Sequence, residues 1–183
     1  MIKKILIGIG SIIVLYVFAS FIFPNYIGIP FTAYQSQKEW KEADSITKFP
    51  KPIGFVNDFE QIFTIEQRQL LEMKLTEYEK STTREFVIIT IDSIKPYENI
   101  KNFATDLSNE WGIGKKETNN GIAIVMSKSL RQIRISTGLG TEKILTDEIC
   151  KNIIDQTIIP EFKNGDYYSG IEKGITELMS KWK

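Results

Sequence analysis

The sequence predicts an α/β fold, a three-layer α/β/α sandwich with a small mixed sheet, preceded by an N-terminal transmembrane helix. Three observations support this prediction. Residues Ile5–Phe23 form a long uncharged run, as a membrane helix requires. Phe86–Ile91 and Gly121–Met126 are continuous apolar runs, typical of strands covered on both faces. The segments around them repeat apolar residues at helical spacing.

Residues 1–23 are predicted to be a single-pass membrane anchor. About 20 apolar residues span the hydrocarbon core as a helix. Lys3 and Lys4 place the N-terminus in the cytoplasm by the positive-inside rule, so the C-terminal domain is expected to be extracytoplasmic. The alternative is a cleaved secretory signal and a secreted protein, because Val17-Phe18-Ala19 resembles a cleavage site. Against cleavage, Phe21–Phe23 continues the apolar run past that site.

Residues 24–54 are predicted to be an extracytoplasmic linker, and residues 55–183 a folded domain. The linker contains four of the six prolines of the chain and shows no sustained apolar period, so it is expected to hold the domain away from the bilayer.

Four helices are predicted in the domain. Thr64–Gln67 fits a capping box at the start of the first. Pro160 is expected to end the third. The apolar residues that define the four helices in order are Ile65, Leu71, Leu75 and Tyr78; Ile100, Phe103, Ala104, Leu107 and Trp111; Ile149, Ile153 and Ile154; and Tyr167, Ile171, Ile175, Leu178 and Trp182. Trp111 and Trp182 lie on these apolar faces and are expected to be core residues.

The strands are predicted to form a mixed sheet. A right-handed parallel crossover should connect the strand at Phe86–Ile91 to the strand at Gly121–Met126. Gln132–Thr137 alternates polar and apolar residues, which is typical of an outer strand. Only Ser127–Arg131 separates it from the preceding strand, so the two should form an antiparallel hairpin.

The composition excludes several classes of function. The chain has no histidine, which rules out a Ser-His-Asp triad, a Cys-His pair and an HExxH zinc site. The chain has 23 Lys and Arg residues and 23 Asp and Glu residues. It therefore lacks the excess of basic residues that is typical of nucleic-acid-binding proteins. Cys150 is the only cysteine, which excludes an intramolecular disulfide, and its apolar spacing predicts a buried, inert thiol.

The predicted hairpin brings several oxygen-bearing side chains to one edge of the sheet. Asn119 and Asn120 should lie beside the segment Gly138–Glu142, with Asp147 a few residues further on. Amide, carboxylate and carbonyl oxygens are the ligands that Ca²⁺ and Mg²⁺ take. Turn chemistry and helix capping are the alternative roles for these residues. Asp58 is expected at the opposite rim, in a turn or cap.

Seven ordered segments resemble the TPM domain family, which includes thylakoid-lumen proteins linked to photosystem II repair and bacterial membrane-anchored or secreted proteins. The hairpin turn departs from the family, with Leu130 where Asp is frequent. The segments are Val56–Asp58, Trp111–Gly114, Asn119–Gly121, Arg131–Ile135, Thr137–Gly140 with Glu142, Leu145–Asp147, and Pro160–Tyr167.

The resemblance implies an extracytoplasmic α/β/α sandwich, calcium or magnesium bound at an acidic rim, and a weak acid phosphatase activity. Carried onto this chain, the metal ligands fall on Asn119, Asn120, Glu142 and Asp147, with Asp58 as a further candidate.

Three functional hypotheses follow. The first is a divalent-cation-binding accessory module, tethered to the membrane, for membrane-protein assembly or repair. The second is a metal-assisted phosphatase, for which no catalytic residue is assigned. The sequence has no D-x-D-x-T pattern of phosphatases. It also has no C-x5-R pattern, because the residue six positions after Cys150 is Gln156. The third is a structural envelope protein that binds a partner without metal.

Overall fold

The described part of the protein, residues 49–183 of a computed structural model, is built on one four-stranded sheet. The strands are β1 (Val56–Asp58), β2 (Glu85–Thr90), β3 (Gly121–Ser127) and β4 (Gln132–Thr137). They lie in the order β1-β2-β3-β4. The first two pairs are parallel and the third is antiparallel, which confirms a mixed sheet and an α/β fold.

The predicted hairpin and the parallel connection from β2 to β3 are both present. β3 and β4 pair from Ile122 with Thr137 to Ser127 with Gln132. Strand β1 was not predicted, because a three-residue strand carries too little pattern to be recognised. The predicted membrane anchor and most of the linker lie outside residues 49–183. Within that range no helix is long and apolar enough to cross a membrane.

Four helical segments pack against the sheet. Their elements are α1 (Ile65–Thr82), α2 (Ile100–Trp111), α3 (Asp147–Ile153), a π-helix (Ile154–Ile158), α4 (Ile159–Lys163) and α5 (Tyr167–Lys181). The predicted capping box starts α1. The Thr64 hydroxyl accepts from the Gln67 amide at 3.2 Å, and the Gln67 side chain accepts from the Thr64 amide at 2.9 Å.

The prediction that Pro160 ends the third helix was wrong. The helix runs without interruption from α3 through the π-helix to Lys163. The π-helix resets the hydrogen-bond register and leaves Pro160 at the second position of α4, where a missing N–H costs little. Trp111 also differs from expectation. It was predicted to be a core residue, but at the end of α2 it is only half-buried.

The apolar core fills the space between one face of the sheet and helices α1, α3 and α5. Ile122, Ile124 and Met126 of β3 belong to this cluster with Leu71 and Leu75 of α1. Full burial of such a side chain contributes about 1.5–3 kcal/mol. The intervening residues of β3 face the other way, where α2 contacts β3 and β4.

Trp182, predicted to be a core residue, fastens the C-terminus to this core. Its side chain is buried, and its ring centroid lies 5.4 Å from that of Phe86 and 6.4 Å from that of Tyr78. The Arg84 guanidinium donates to the Trp182 carbonyl and lies over its ring. The C-terminus of the domain is therefore attached to the internal strand β2.

Candidate functional site

The predicted meeting of two loops at the start of β3 is confirmed. We call this region the glycine edge, comprising residues 112–121 and 138–147. The Gly140 amide donates to the Asn119 carbonyl at 3.2 Å, and the Gly138 amide donates to the Gly121 carbonyl at 2.9 Å. A Cβ at position 140 would lie 1.9 Å from the Thr118 carbonyl oxygen. Glycine is needed here because the two backbones touch.

The two asparagines of the glycine edge build its loop. Asn119 has a φ of 48°, in the left-handed region that Asn tolerates well. The Asn120 amide oxygen accepts from the Lys115 amide at 2.9 Å, and its nitrogen donates to the Thr83 carbonyl at 2.8 Å. Asn120 thus ties the loop to the end of α1, and both ends of its side chain are in use.

The two predicted carboxylate ligands on the glycine edge, Glu142 and Asp147, are both exposed, and Asp147 is paired. Asp147 Oδ1 lies 2.7 Å from Arg134 Nη2. Asp147 is the first residue of α3, and the cap is Thr146. Within residues 49–183, no three Cys, Asp or Glu side chains are grouped so as to hold a metal ion. The metal set Asn119, Asn120, Glu142, Asp147 and Asp58 therefore stays a prediction.

Asp58 lies at the opposite end of the sheet, as predicted, since it pairs in register with Thr90 at the end of β2. Its carboxylate accepts from the Ile62 and Phe63 amides, each at 3.0 Å, and from the Thr90 hydroxyl at 2.6 Å. Only 8% of the residue is exposed. These bonds shape the loop between β1 and α1, which agrees with a turn role.

The only cysteine is buried, as predicted. Cys150 is 2% exposed, and burial raises the pKa of its thiol to about 11. The thiol is therefore protonated at neutral pH and is not a nucleophile.

A second candidate site, absent from the sequence predictions, lies at the turn between β3 and β4. We call it the hairpin cleft. Its volume is about 530 Å³, within the usual range for ligand sites. Cationic side chains stand among apolar and aromatic ones in its lining. The lining residues with these characters are Lys128, Arg131 and Lys163, with Met126, Ile133, Ile159, Phe162 and Tyr167.

The apolar part of the hairpin cleft depends on the packing of α4 against α5. The Phe162 and Tyr167 rings lie 4.8 Å apart. A Cβ at Gly170 would lie 2.7 Å from Phe162 Cε1, so the absence of a side chain there lets the Phe162 ring lie against α5. The π-helix directly precedes these residues, and such segments occur frequently at functional sites.

The hairpin turn, which contains the cations Lys128 and Arg131, is fixed by hydrogen bonds. The Glu60 carboxylate accepts from the Lys128 amide at 2.8 Å and from the Ser129 amide at 3.1 Å. The Leu130 amide donates to the Ser127 hydroxyl at 3.2 Å. The Lys128 ammonium lies 5.1 Å from the centroid of the Tyr167 ring, a cation–π distance. The turn side of the cleft is thus held in place by contacts within the chain.

A family model described as the TPM domain matches residues 56–181. The chain belongs to the TPM domain family. This confirms the resemblance seen in the sequence. The match covers all four strands and the helices that follow β1. No curated protein gives a match.

Solved structures resemble this TPM domain. The N-terminal domain of a P. gingivalis protein is 28% identical, with a TM-score of 0.63 over 69% of this chain and 80% of that one. The BA42 protein of Bizionia argentinensis is 18% identical, with a TM-score of 0.59 over 68% and 88%. The N-terminal domain of a Corynebacterium glutamicum protein is 11% identical, with a TM-score of 0.56 over 75% and 86%. The last two show the fold alone.

Most of the segments that resemble the family lie in the glycine edge or the hairpin cleft; Val56–Asp58, which forms β1, lies in neither. Three of them, Trp111–Gly114, Asn119–Gly121 and Thr137–Gly140, meet at the glycine edge. Close backbone contacts account for all of their glycines except Gly112, which ends α2 with a φ of 65°. Arg131–Ile135 and Pro160–Tyr167 both line the hairpin cleft. These two segments are distant in the sequence, both resemble the family, and each contains a cationic residue. That combination was the signal in the sequence that could have predicted the cleft.

Proposed function

We propose that this TPM domain is a membrane-tethered, extracytoplasmic binding module that assists other membrane proteins. The observation that carries the proposal is the hairpin cleft, because it combines an apolar floor, aromatic rings and a charged rim in one concavity. Ligand sites typically have this composition. The titratable side chains in its lining are Lys, Arg and Tyr, without a carboxylate to act as general acid or base, and this favours binding over hydrolysis.

The tethering part of the proposal is supported by the N-terminal sequence. The apolar run Ile5–Phe23 is long enough to span a bilayer, and Lys3 and Lys4 favour a cytoplasmic N-terminus. A reporter enzyme fused after Lys183 tests it. Activity only in the extracytoplasmic compartment supports the proposed topology, whereas activity in the cytoplasm contradicts it. Retention of the fusion in the membrane fraction distinguishes an anchor from a cleaved signal.

A bound Ca²⁺ or Mg²⁺ is the second part of the proposal. Glu142 and Asp147 are exposed carboxylates on the glycine edge, beside the carbonyls of the Asn119 loop, and oxygen donors of this kind suit hard cations. Asp147 would have to exchange the Arg134 guanidinium for the metal. Asn120 would have to release its bonds to Lys115 and Thr83. We therefore assign the ion an accessory role, separate from the hairpin cleft.

A further inference from the structure

We propose that the ligand of the hairpin cleft is an organic anion, a phosphate- or carboxylate-bearing group attached to an apolar or aromatic body. This inference rests on the proposed function in taking the cleft as the binding site. It adds the chemistry of the ligand, which nothing in the sequence predictions assigns.

The charge of the cleft argues for an anion. Its lining contains Lys128, Arg131 and Lys163 and no Asp or Glu. Within residues 49–183, none of these three cations has a carboxylate partner within 4 Å, whereas six other Lys and Arg residues do. Three cations at one concavity without counter-charges raise the local concentration of anions.

Three carboxylates near the cleft already have partners elsewhere. Glu60 accepts from the backbone of the hairpin turn. Asp166 caps α5 through the Ser169 amide and hydroxyl, at 2.9 and 2.7 Å. Glu161 pairs with Lys173 at 2.5 Å. An anion entering the cleft would therefore gain the three cations without displacing an internal salt bridge.

The cations are also positioned in advance. The turn is fixed by Glu60 and by Ser127, and Lys128 is held over the Tyr167 ring. Arg131 adopts a φ of 54° and donates its amide to the Lys128 carbonyl at 3.2 Å. A guanidinium binds phosphate or carboxylate through two parallel hydrogen bonds. Fixing the backbone beforehand lowers the ordering cost of binding.

The floor of the cleft argues for an apolar body on the anion. Ile133, Ile159 and Phe162 are only half-buried there, beside the ring of Tyr167. A free inorganic anion would pair with the cations at the rim but would leave this apolar surface in contact with water. An aromatic or aliphatic group would cover it, and the hydrophobic gain grows with the area covered.

The test is an amide NMR titration of the full-length protein in detergent micelles. The probes are phenylphosphonate and 3-phenylpropanoate, which share the ring and differ in the anion. Inorganic phosphate and benzyl alcohol each provide one half of the proposed ligand. We expect saturable shifts confined to residues 126–133 and 159–167 with at least one ringed anion. We expect binding at least tenfold weaker for both half-ligands. Preference for phenylphosphonate would indicate a phosphate-type ligand, and preference for 3-phenylpropanoate a carboxylate.

A triple variant provides the matched comparison. It removes the three charges at the rim of the cleft through the substitutions Lys128→Gln, Arg131→Asn and Lys163→Gln, all at exposed positions. Asn is chosen at position 131 because it tolerates the left-handed backbone conformation found there. The triple variant should bind the ringed anion at least tenfold more weakly, with its spectrum unchanged outside the cleft. Lys101→Gln, on α2, should bind like wild type. Equal affinity of the triple variant, or no saturable binding by wild type, overturns the inference. Either result leaves the reporter test of topology unaffected.

Discussion

The hydroxyl of Thr90 donates a 2.6 Å hydrogen bond to Oδ1 of Asp58, which joins the ends of β2 and β1 inside the domain. The same carboxylate accepts hydrogen bonds from the backbone amides of Ile62 and Phe63. One side chain thus satisfies three donors at the turn into α1. Hydrogen bonds to a charged acceptor are worth more than neutral ones, and donors left unpaired in a buried site are costly.

Replacement of Asp58 should therefore reduce stability. We expect Asp58→Ala to lower the free energy of unfolding by about 3 kcal/mol, measured by urea denaturation without added metal. Asp92→Asn changes an exposed carboxylate at the same end of the sheet and should stay within about 0.5 kcal/mol of wild type. A loss of stability in Asp58→Ala that appears only when calcium is present would instead make Asp58 a metal ligand.

The close backbone contact at Gly140 should not accommodate a side chain. A Cβ there would overlap the Thr118 carbonyl, so the loops of the glycine edge would have to separate. We expect Gly140→Ala to destabilise the protein by at least about 2 kcal/mol in thermal or urea unfolding. The adjacent Leu139 is 67% exposed, so Leu139→Ala should cost less than about 0.5 kcal/mol. Equal stability of the two variants would show that the loops are not packed as described.

Acid should weaken the link between α1 and α5. The Lys74 ammonium donates to Glu172 at 2.5 Å, and this bond lowers the pKa of Glu172 below the ordinary 4.5. The pair therefore contributes at pH values above the unfolded-state pKa and is lost as pH falls through the folded-state pKa.

Unfolding of Glu172→Gln measures this contribution. Because the pair is partly exposed, we expect about 0.5 kcal/mol at pH 7 and no difference from wild type near pH 3. Glu117→Gln, an exposed loop substitution, should match wild type at both pH values. A difference that persists unchanged at low pH would exclude the ion pair as its cause.

Calcium should stabilise the protein if the glycine edge holds it. Calcium at one hundred times its dissociation constant would add about 2.7 kcal/mol and raise the melting temperature. Glu142→Gln with Asp147→Asn should remove this calcium-dependent shift and leave the metal-free protein folded. The exposed Arg134 pair that is also lost is worth at most about 1 kcal/mol.

Two results would contradict the cation assignment. Equal calcium stabilisation of wild type and the double variant would move the site elsewhere. No stabilisation of wild type at millimolar calcium would favour the metal-free interpretation.

Features determined by neighbouring residues could be predicted from the sequence. The capping box of Thr64 and Gln67 needs only four residues, and it is present. The hairpin followed from two strands with a short connection, and β4 has the predicted bounds. The meeting of Asn119 with Gly140 followed in turn from the hairpin.

Features determined by distant partners could not be predicted in this way. The Asn120 side chain is occupied by the Thr83 carbonyl, 37 residues away. Asp147 is paired with Arg134, and Glu60 contacts a turn 68 residues further along the chain. The hairpin cleft combines this turn with α4 and α5. Spacing showed which backbones approach each other, but it did not show which side-chain atoms were already bonded.

The central claim, that this protein binds its partner at the hairpin cleft, is tested most directly by photo-cross-linking in intact cells. Benzoylphenylalanine is introduced at Gln132, an exposed residue of the cleft, or at Lys101, an exposed residue of α2. We expect a discrete cross-linked adduct with the partner from position 132 and none from position 101. The adduct should be lost when Lys128→Gln and Lys163→Gln are added. Adducts of equal yield from both positions, or an adduct that survives the loss of both charges, would contradict the claim.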